Sequence, residues 1–97
     1  MNRLMLDYYI FDTELSVAGC KLGVDELCNY IDQHFEGDSL SAEGDDKLMK
    51  VHLRTNRPWE ILEYCASLGE MFDVTVQNIA RNQGNRQGVR AVCRVKV

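Results

Sequence analysis

The sequence predicts an α+β domain: a ferredoxin-like two-layer sandwich with two helices on one face of a four- to five-stranded, mainly antiparallel sheet. Three observations carry that expectation. Hydrophobic periodicity alternates between strand and helix in the order strand, helix, (strand) strand, helix, strand, strand. Both helical segments are amphipathic, so each needs only one apolar surface to cover. The chain has 97 residues, enough for one two-layer core, and is expected to be a single domain over 1–97. The signals agree best over 47–76 (KLMKVHLRTNRPWEILEYCASLGEMFDVTV), a strand, a capped helix, a glycine stop and a second strand.

In chain order, residues 4–11 (LMLDYYIF) are apolar and aromatic and are expected to form a strand. Leu4, Leu6, Tyr8 and Ile10 would share one face, and Met5, Asp7, Tyr9 and Phe11 the other. Residues 12–23 (DTELSVAGCKLG) have turn composition. From 24 to 35, Val24, Leu27, Cys28, Ile31 and Phe35 fall on one helical stripe. Asp25 and Glu26 suit the first turn of that helix. With Asn29, Asp32, Gln33 and Glu36 they give it an acidic outer side, and Gly37 ends it. A short strand is expected over 39–43, followed by a Gly44-Asp45-Asp46 turn.

Residues 47–55 alternate, with Met49, Val51 and Leu53 inward and Lys50, His52 and Arg54 outward. Pro58 fits the first position of the second helix, and Glu60 is placed to cap it. Trp59, Ile61, Leu62, Cys65, Ala66 and Leu68 form its apolar face, and Gly69 closes it. Phe72, Val74 and Val76 then point inward on the next strand, with Asp73, Thr75 and Gln77 outward. The loop over 81–88 (RNQGNRQG) leads to a last strand over 89–97, whose Arg90, Arg94 and Lys96 face outward.

Hydrophobic residues make up 45% and charged residues 27%, the balance of a soluble globular protein rather than a disordered one. No apolar run is long enough to span a bilayer, and no cleavable signal is expected near the N-terminus, so the cytoplasm is the expected compartment. Cys20, Cys28, Cys65 and Cys93 lie too far apart for a paired metal motif and are expected to be reduced, mostly buried thiols.

The net charge of −4 conceals a split. Residues 1–46 hold eleven acids and two bases (−9), and residues 47–97 hold four acids and nine bases (+5). With helices on one side only, the other sheet face is open to solvent or a partner. Alternation places Lys50, His52, Arg54, Arg90, Arg94 and Lys96 on that face, near Tyr9, with Arg81 and Arg86 on the adjoining loop. This is a basic surface with aromatics, suited to phosphates and stacked bases. The ribonucleoprotein signature of RNA-recognition sheets is absent, and charged side chains on a wet sheet face also serve to prevent aggregation. The acidic helix face, with Asp25, Glu26, Asp32 and Glu36, is a second candidate partner surface.

Enzyme motifs are missing: no phosphate-binding glycine loop, no H-E-x-x-H, no nucleophile elbow. His52 could act as a general base, but no nucleophile accompanies it, and a lone His on a strand is more often simply solvated. Asp7, Asp12 and Glu14 suggest a metal-dependent nuclease, yet their spacing is not diagnostic and Asp12 and Glu14 fall in an expected loop. No catalytic residue, metal ligand or cofactor is therefore expected.

Residues 55–76 resemble the small ferredoxin-like proteins of the YubB type encoded by phages and plasmids. Pro58, Trp59, Ile61, Leu62, Glu63, Ala66, Phe72, Asp73 and Val74 carry the resemblance, about a quarter of the chain. It implies the fold and a mobile-element origin, with no chemistry to transfer. In size and habit the chain is also similar to anti-CRISPR and other anti-defence proteins, by analogy only. The leading expectation is thus a non-enzymatic protein that inhibits or modulates a host protein or ribonucleoprotein through a charged face. The alternative is direct binding of RNA or single-stranded nucleic acid by the basic sheet.

Overall fold

A computed structural model describes residues 9–82. The expectations for residues 4–8, for the loop beyond Asn82 and for the last strand, including Arg86, Arg90, Arg94 and Lys96, lie outside the described residues. The elements are β1 (Phe11–Ala18), α1 (Val24–His34), β2 (Asp38–Gly44), β3 (Met49–Thr55), α2 (Pro58–Ala66), β4 (Glu70–Asn78) and a one-turn α3 (Ile79–Asn82). The four strands form one sheet in the order β2-β3-β1-β4, antiparallel at every pairing.

The first strand departs from the expected one. It runs over Phe11–Ala18, through the stretch whose polar residues read as a turn. Asp12, Glu14 and Ser16 are every second residue on one face, and Thr13, Leu15 and Val17 on the other are buried; Ser16, opposite Phe72, is buried as well. The polar residues are the outward set of a central strand, so composition misleads where alternation holds. The turn is shorter than expected: Gly19 adopts φ 68, and the Cys20 and Lys21 amides donate to the Asp46 and Leu68 carbonyls, each at 3.0 Å.

α1 buries Leu27 and Ile31 and ends with the Phe35 amide bonded to the Ile31 carbonyl. His34 donates from Nδ1 to the Tyr30 carbonyl at 3.0 Å, satisfying a terminal acceptor. The hairpin from β2 to β3 is closed by Asp45, whose carboxylate accepts from the Lys47 and Leu48 amides. Gly44, at φ 130, is required there, because a Cβ would lie 2.0 Å from the Leu48 carbonyl oxygen.

α2 starts at Pro58 as expected, but Glu60 does not cap it. Its carboxylate accepts from the Arg57 guanidinium at 2.9 Å instead. Ile61 and Cys65 are buried, while Ala66 is exposed and Trp59 is 61% exposed, so the apolar face is narrower than the sequence suggested. The core beneath the helices gathers Leu15, Val17, Leu27, Ile31, Met49, Val51, Leu53, Ile61, Cys65 and Leu68.

β4 also differs. Between the pairs Glu14↔Thr75 and Ser16↔Phe72, β1 advances two residues while β4 advances three. The extra residue makes a bulge at Asp73, which has φ 53. Phe72 is thereby set opposite Ser16, on the open face rather than in the core, and is 38% exposed. Val74 and Val76, expected in the core, are 40% and 41% exposed.

Candidate metal centre

The open face is built from three rows of side chains, fixed by strand register. Asp38, Arg54, Asp12 and Gln77 lie across the sheet in one row. Ser41, His52, Glu14 and Thr75 form the next, and Glu43, Lys50, Ser16 and Phe72 the third. The expected outward residues of β3 are thus where the alternation put them. Their neighbours are not, because β1 supplies acids here.

His52 is held at both nitrogens. Its Nδ1 lies 2.9 Å from the Ser39 carbonyl, an acceptor only, so Nδ1 carries a proton and donates it. The Nε2 atom is 2.5 Å from Asp12 Oδ1. Ser39 itself has φ 58, in the irregular stretch of β2 between Asp38 and Ser41. With Nδ1 committed, the Nε2 lone pair of a neutral ring would face a carboxylate lone pair, and a proton or a cation must lie between them.

Glu14, cross-strand from His52, completes a cluster in which one donor atom each from Asp12, Glu14 and His52 lies within 4.8 Å of the others. One imidazole and two carboxylates form a three-ligand set suited to zinc or another first-row divalent ion. Histidine metal ligands characteristically donate their second ring N–H to a carbonyl or carboxylate, as His52 does to Ser39.

Beside this cluster, Arg54 holds Asp38 by two bonds, 2.8 Å from Nε and 3.0 Å from Nη2. The Arg54 guanidinium lowers the Asp38 pKa below its usual value. A depression of about 550 Å³ adjoins the cluster and shares Glu14 and His52 with it, with Phe72, Leu48, Glu43, Asp73 and Lys50 lining the rest.

Among the described residues the open face is therefore not basic. Asp12, Glu14, Asp38, Glu43 and Asp73 stand against Lys50 and Arg54, five carboxylates to two cations, or −3 with His52 neutral. Tyr9 precedes β1 and is half-buried. Arg81 lies in α3, where its amide donates to Asn78 Oδ1, rather than in a hairpin loop. On the helix side, Asp25, Glu26, Asp32 and Glu36 are all exposed. Between the helices Tyr30 stacks on Tyr64 at 4.5 Å and on His34 at 4.0 Å. Burial raises the Tyr64 pKa and pushes the Cys65 thiol up to about 12.

Residues 8–86 match the model of the FakA-like middle-domain family, which takes its name from fatty acid kinase. The chain belongs to that family. An uncharacterized protein of Staphylococcus haemolyticus is 36% identical over 73 residues, covering 73% of this chain and 13% of that protein. An uncharacterized protein of Staphylococcus epidermidis is 37% identical over 43 residues, 44% of this chain and 8% of its own length. The chain thus matches only a small share of the curated relatives.

This membership corrects the YubB-type and anti-CRISPR resemblances: the Pro58–Trp59 turn and the helix after it belong to a kinase-related domain. It also overturns the expected phage anti-defence role against a host nucleoprotein. The nucleic-acid alternative fails with it, and the physical reason is the acidic row that β1 lays beside Lys50, His52 and Arg54, which would repel phosphates. Among the described residues, no helix is long and apolar enough to cross a membrane.

Turn composition over 12–23 hides this cluster from sequence reasoning, because it sets Asp12 and Glu14 in a loop. On a strand, the spacing Asp-x-Glu puts both carboxylates on one face, and that signal is present in the sequence. The contribution of Ser39, a backbone carbonyl, leaves no trace in residue type.

Proposed function

We propose that this chain is the middle domain of a FakA-like, fatty acid kinase-related protein, a cytoplasmic ferredoxin-like module that performs no catalysis of its own. In this reading its open sheet face holds a divalent metal, zinc by preference, at Asp12, Glu14 and His52. The ion organises that face for contact with another part of the kinase. The element order and the antiparallel order β2-β3-β1-β4 support the fold assignment. The family is described as one of kinase subunits, which supports a protein partner.

The observation that carries the reading is the fixed His52 ring. Its Nδ1–H is spent on Ser39 and its Nε2 faces the Asp12 carboxylate, with a Glu14 oxygen within 4.8 Å, an arrangement that supports a ligand's role. The same commitment argues against a catalytic base, since neither ring nitrogen is free to take a substrate proton. With metal–ligand distances of about 2 Å in a tetrahedral site, Nε2 and Oδ1 would stand about 3.3 Å apart, so loading replaces their present direct contact with bonds to the ion.

Titration calorimetry with zinc chloride tests this. The wild-type chain is expected to bind one ion, more weakly at pH 5.5 than at pH 7.5 because protons compete for the ligands. His52→Ala and Asp12→Ala should each lose most of that affinity. Equal binding by the variants would place the metal on other groups, such as the cysteines, and sink the assignment.

A further inference from the structure

We propose that the depression beside the metal cluster receives an arginine side chain presented by another segment of the same kinase polypeptide. This rests on the open face being the working surface, as proposed above, and not on the metal itself.

Three observations carry it. The first is the charge of the depression: Glu14, Glu43 and Asp73 face Lys50, and among the described residues none of the four makes an ion pair. In the metal-free chain two negative charges remain uncompensated, which fits a cation and rejects an anion. Glu14 is shared with the metal cluster, so the arginine peptide should bind more weakly with zinc than with EDTA. The second is shape and polarity. Phe72 and Leu48, 38% and 45% exposed, wall a depression of about 550 Å³. A planar guanidinium can lie on the Phe72 ring while its stem follows Leu48, and it can reach a carboxylate with two parallel bonds. Lysine offers a point charge without the flat face, so arginine fits better.

The third observation is the bulge. The left-handed conformation of Asp73, at φ 53, turns Phe72 out of the core while the Asp73 carboxylate stays at the rim. An uninterrupted β4 would set Asp73 opposite Ser16 and turn Phe72 inward, so the bulge is what adds Phe72 to the same face as the Asp73 carboxylate. Bulges of this kind re-aim side chains beside functional sites. The occupant is assigned to the same polypeptide because the matched stretch is 13% of the length of its Staphylococcus haemolyticus relative, which leaves most of such a protein to supply the segment.

The test uses two pentapeptides, acetyl-Gly-Leu-Arg-Leu-Gly-amide and the same peptide with citrulline, which keeps the shape and loses the charge. Amide shifts of the isotope-labelled 97-residue chain are followed during titration, with EDTA and again with zinc. The arginine peptide should move amides near Glu14, Glu43, Leu48 and Phe72, and bind about ten-fold more tightly than the citrulline peptide. Phe72→Ser and Asp73→Gly should each weaken it several-fold. Glycine suits the backbone at position 73, so Asp73→Gly separates the carboxylate from folding.

Equal binding of the two peptides, shifts confined to other regions, no shifts at millimolar peptide, or variants that bind like wild type would each overturn the proposal. Zinc affinity, measured in parallel, should be unchanged in Phe72→Ser and Asp73→Gly. Loss of zinc binding with arginine selectivity retained would remove the metal reading and leave this one standing.

Discussion

Asp73 offers a stability test in which the usual rule for strands reverses. Within an ordinary strand, glycine is about 0.5–1 kcal/mol less stable than alanine. At Asp73 the backbone has φ 53, a conformation that costs an L-residue with a Cβ roughly 1–2 kcal/mol and glycine nothing. Asp and Asn tolerate it better than most. The Asp73 side chain is exposed and makes no hydrogen bond or ion pair among the described residues, so its removal carries little other cost. The expected order of stability is therefore Gly at or above Asp, then Ala, then Val. Alanine should fall about 1 kcal/mol below glycine, and valine, stiffened by β-branching, about 2 kcal/mol below it. For a domain of this size each kcal/mol moves the thermal midpoint by roughly 4–8 °C. Urea denaturation and thermal melts followed by circular dichroism measure both. If Asp73→Ala is as stable as Asp73→Gly or more so, the bulge is not formed, and the outward placement of Phe72 loses its basis.

Three further outcomes are expected. Leu27, fully buried, anchors α1 to the sheet, and Leu27→Ala should cost about 3 kcal/mol in urea denaturation, whereas a loss under about 1 kcal/mol would mean that α1 is not docked there. Cys65, pushed up to about 12 by burial and by the neighbouring Cys20, should resist a thiol reagent at pH 8 until the protein unfolds. Since its folded pKa is raised, that contribution to stability is complete below the unfolded thiol's pKa and is lost as pH climbs towards 12, which Cys65→Ala should blunt in alkaline denaturation. Asp38 shifts the opposite way, so its contribution is present above its ordinary pKa of 3.8 and disappears as pH falls through the lowered value. Arg54→Met should flatten that acid limb by under about 1 kcal/mol, the usual ceiling for exposed pairs.

Much of the fold is legible in the sequence because hydrophobic spacing is read without knowledge of neighbours. The α1 stripe around Leu27 and Ile31, the alternation of Met49, Val51 and Leu53, and the Pro58 helix start all appear where periodicity puts them. β1 runs through a stretch expected to be a turn because Asp12, Thr13, Glu14 and Ser16 have turn composition, although their alternation with Leu15 and Val17 is that of a strand. That expectation also hides the candidate site, since it sets Asp12 and Glu14 off the sheet and leaves β3 looking like a basic surface. The misplacement of Phe72 has a different origin. A bulge depends on pairing register between distant strands, and nothing in residues 70–78 alone announces it.

The central claim, that His52 is poised as a metal ligand between Ser39 and Asp12, is tested most directly by the imidazole nitrogen resonances of His52 with and without zinc. With one equivalent of zinc, Nδ1 is predicted to stay protonated while Nε2 loses any proton and takes a metal-bound shift, and Asp12→Ala should abolish that change. An Nε2 that remains protonated in excess zinc would contradict the claim and leave the contact with Asp12 as an ordinary ion pair.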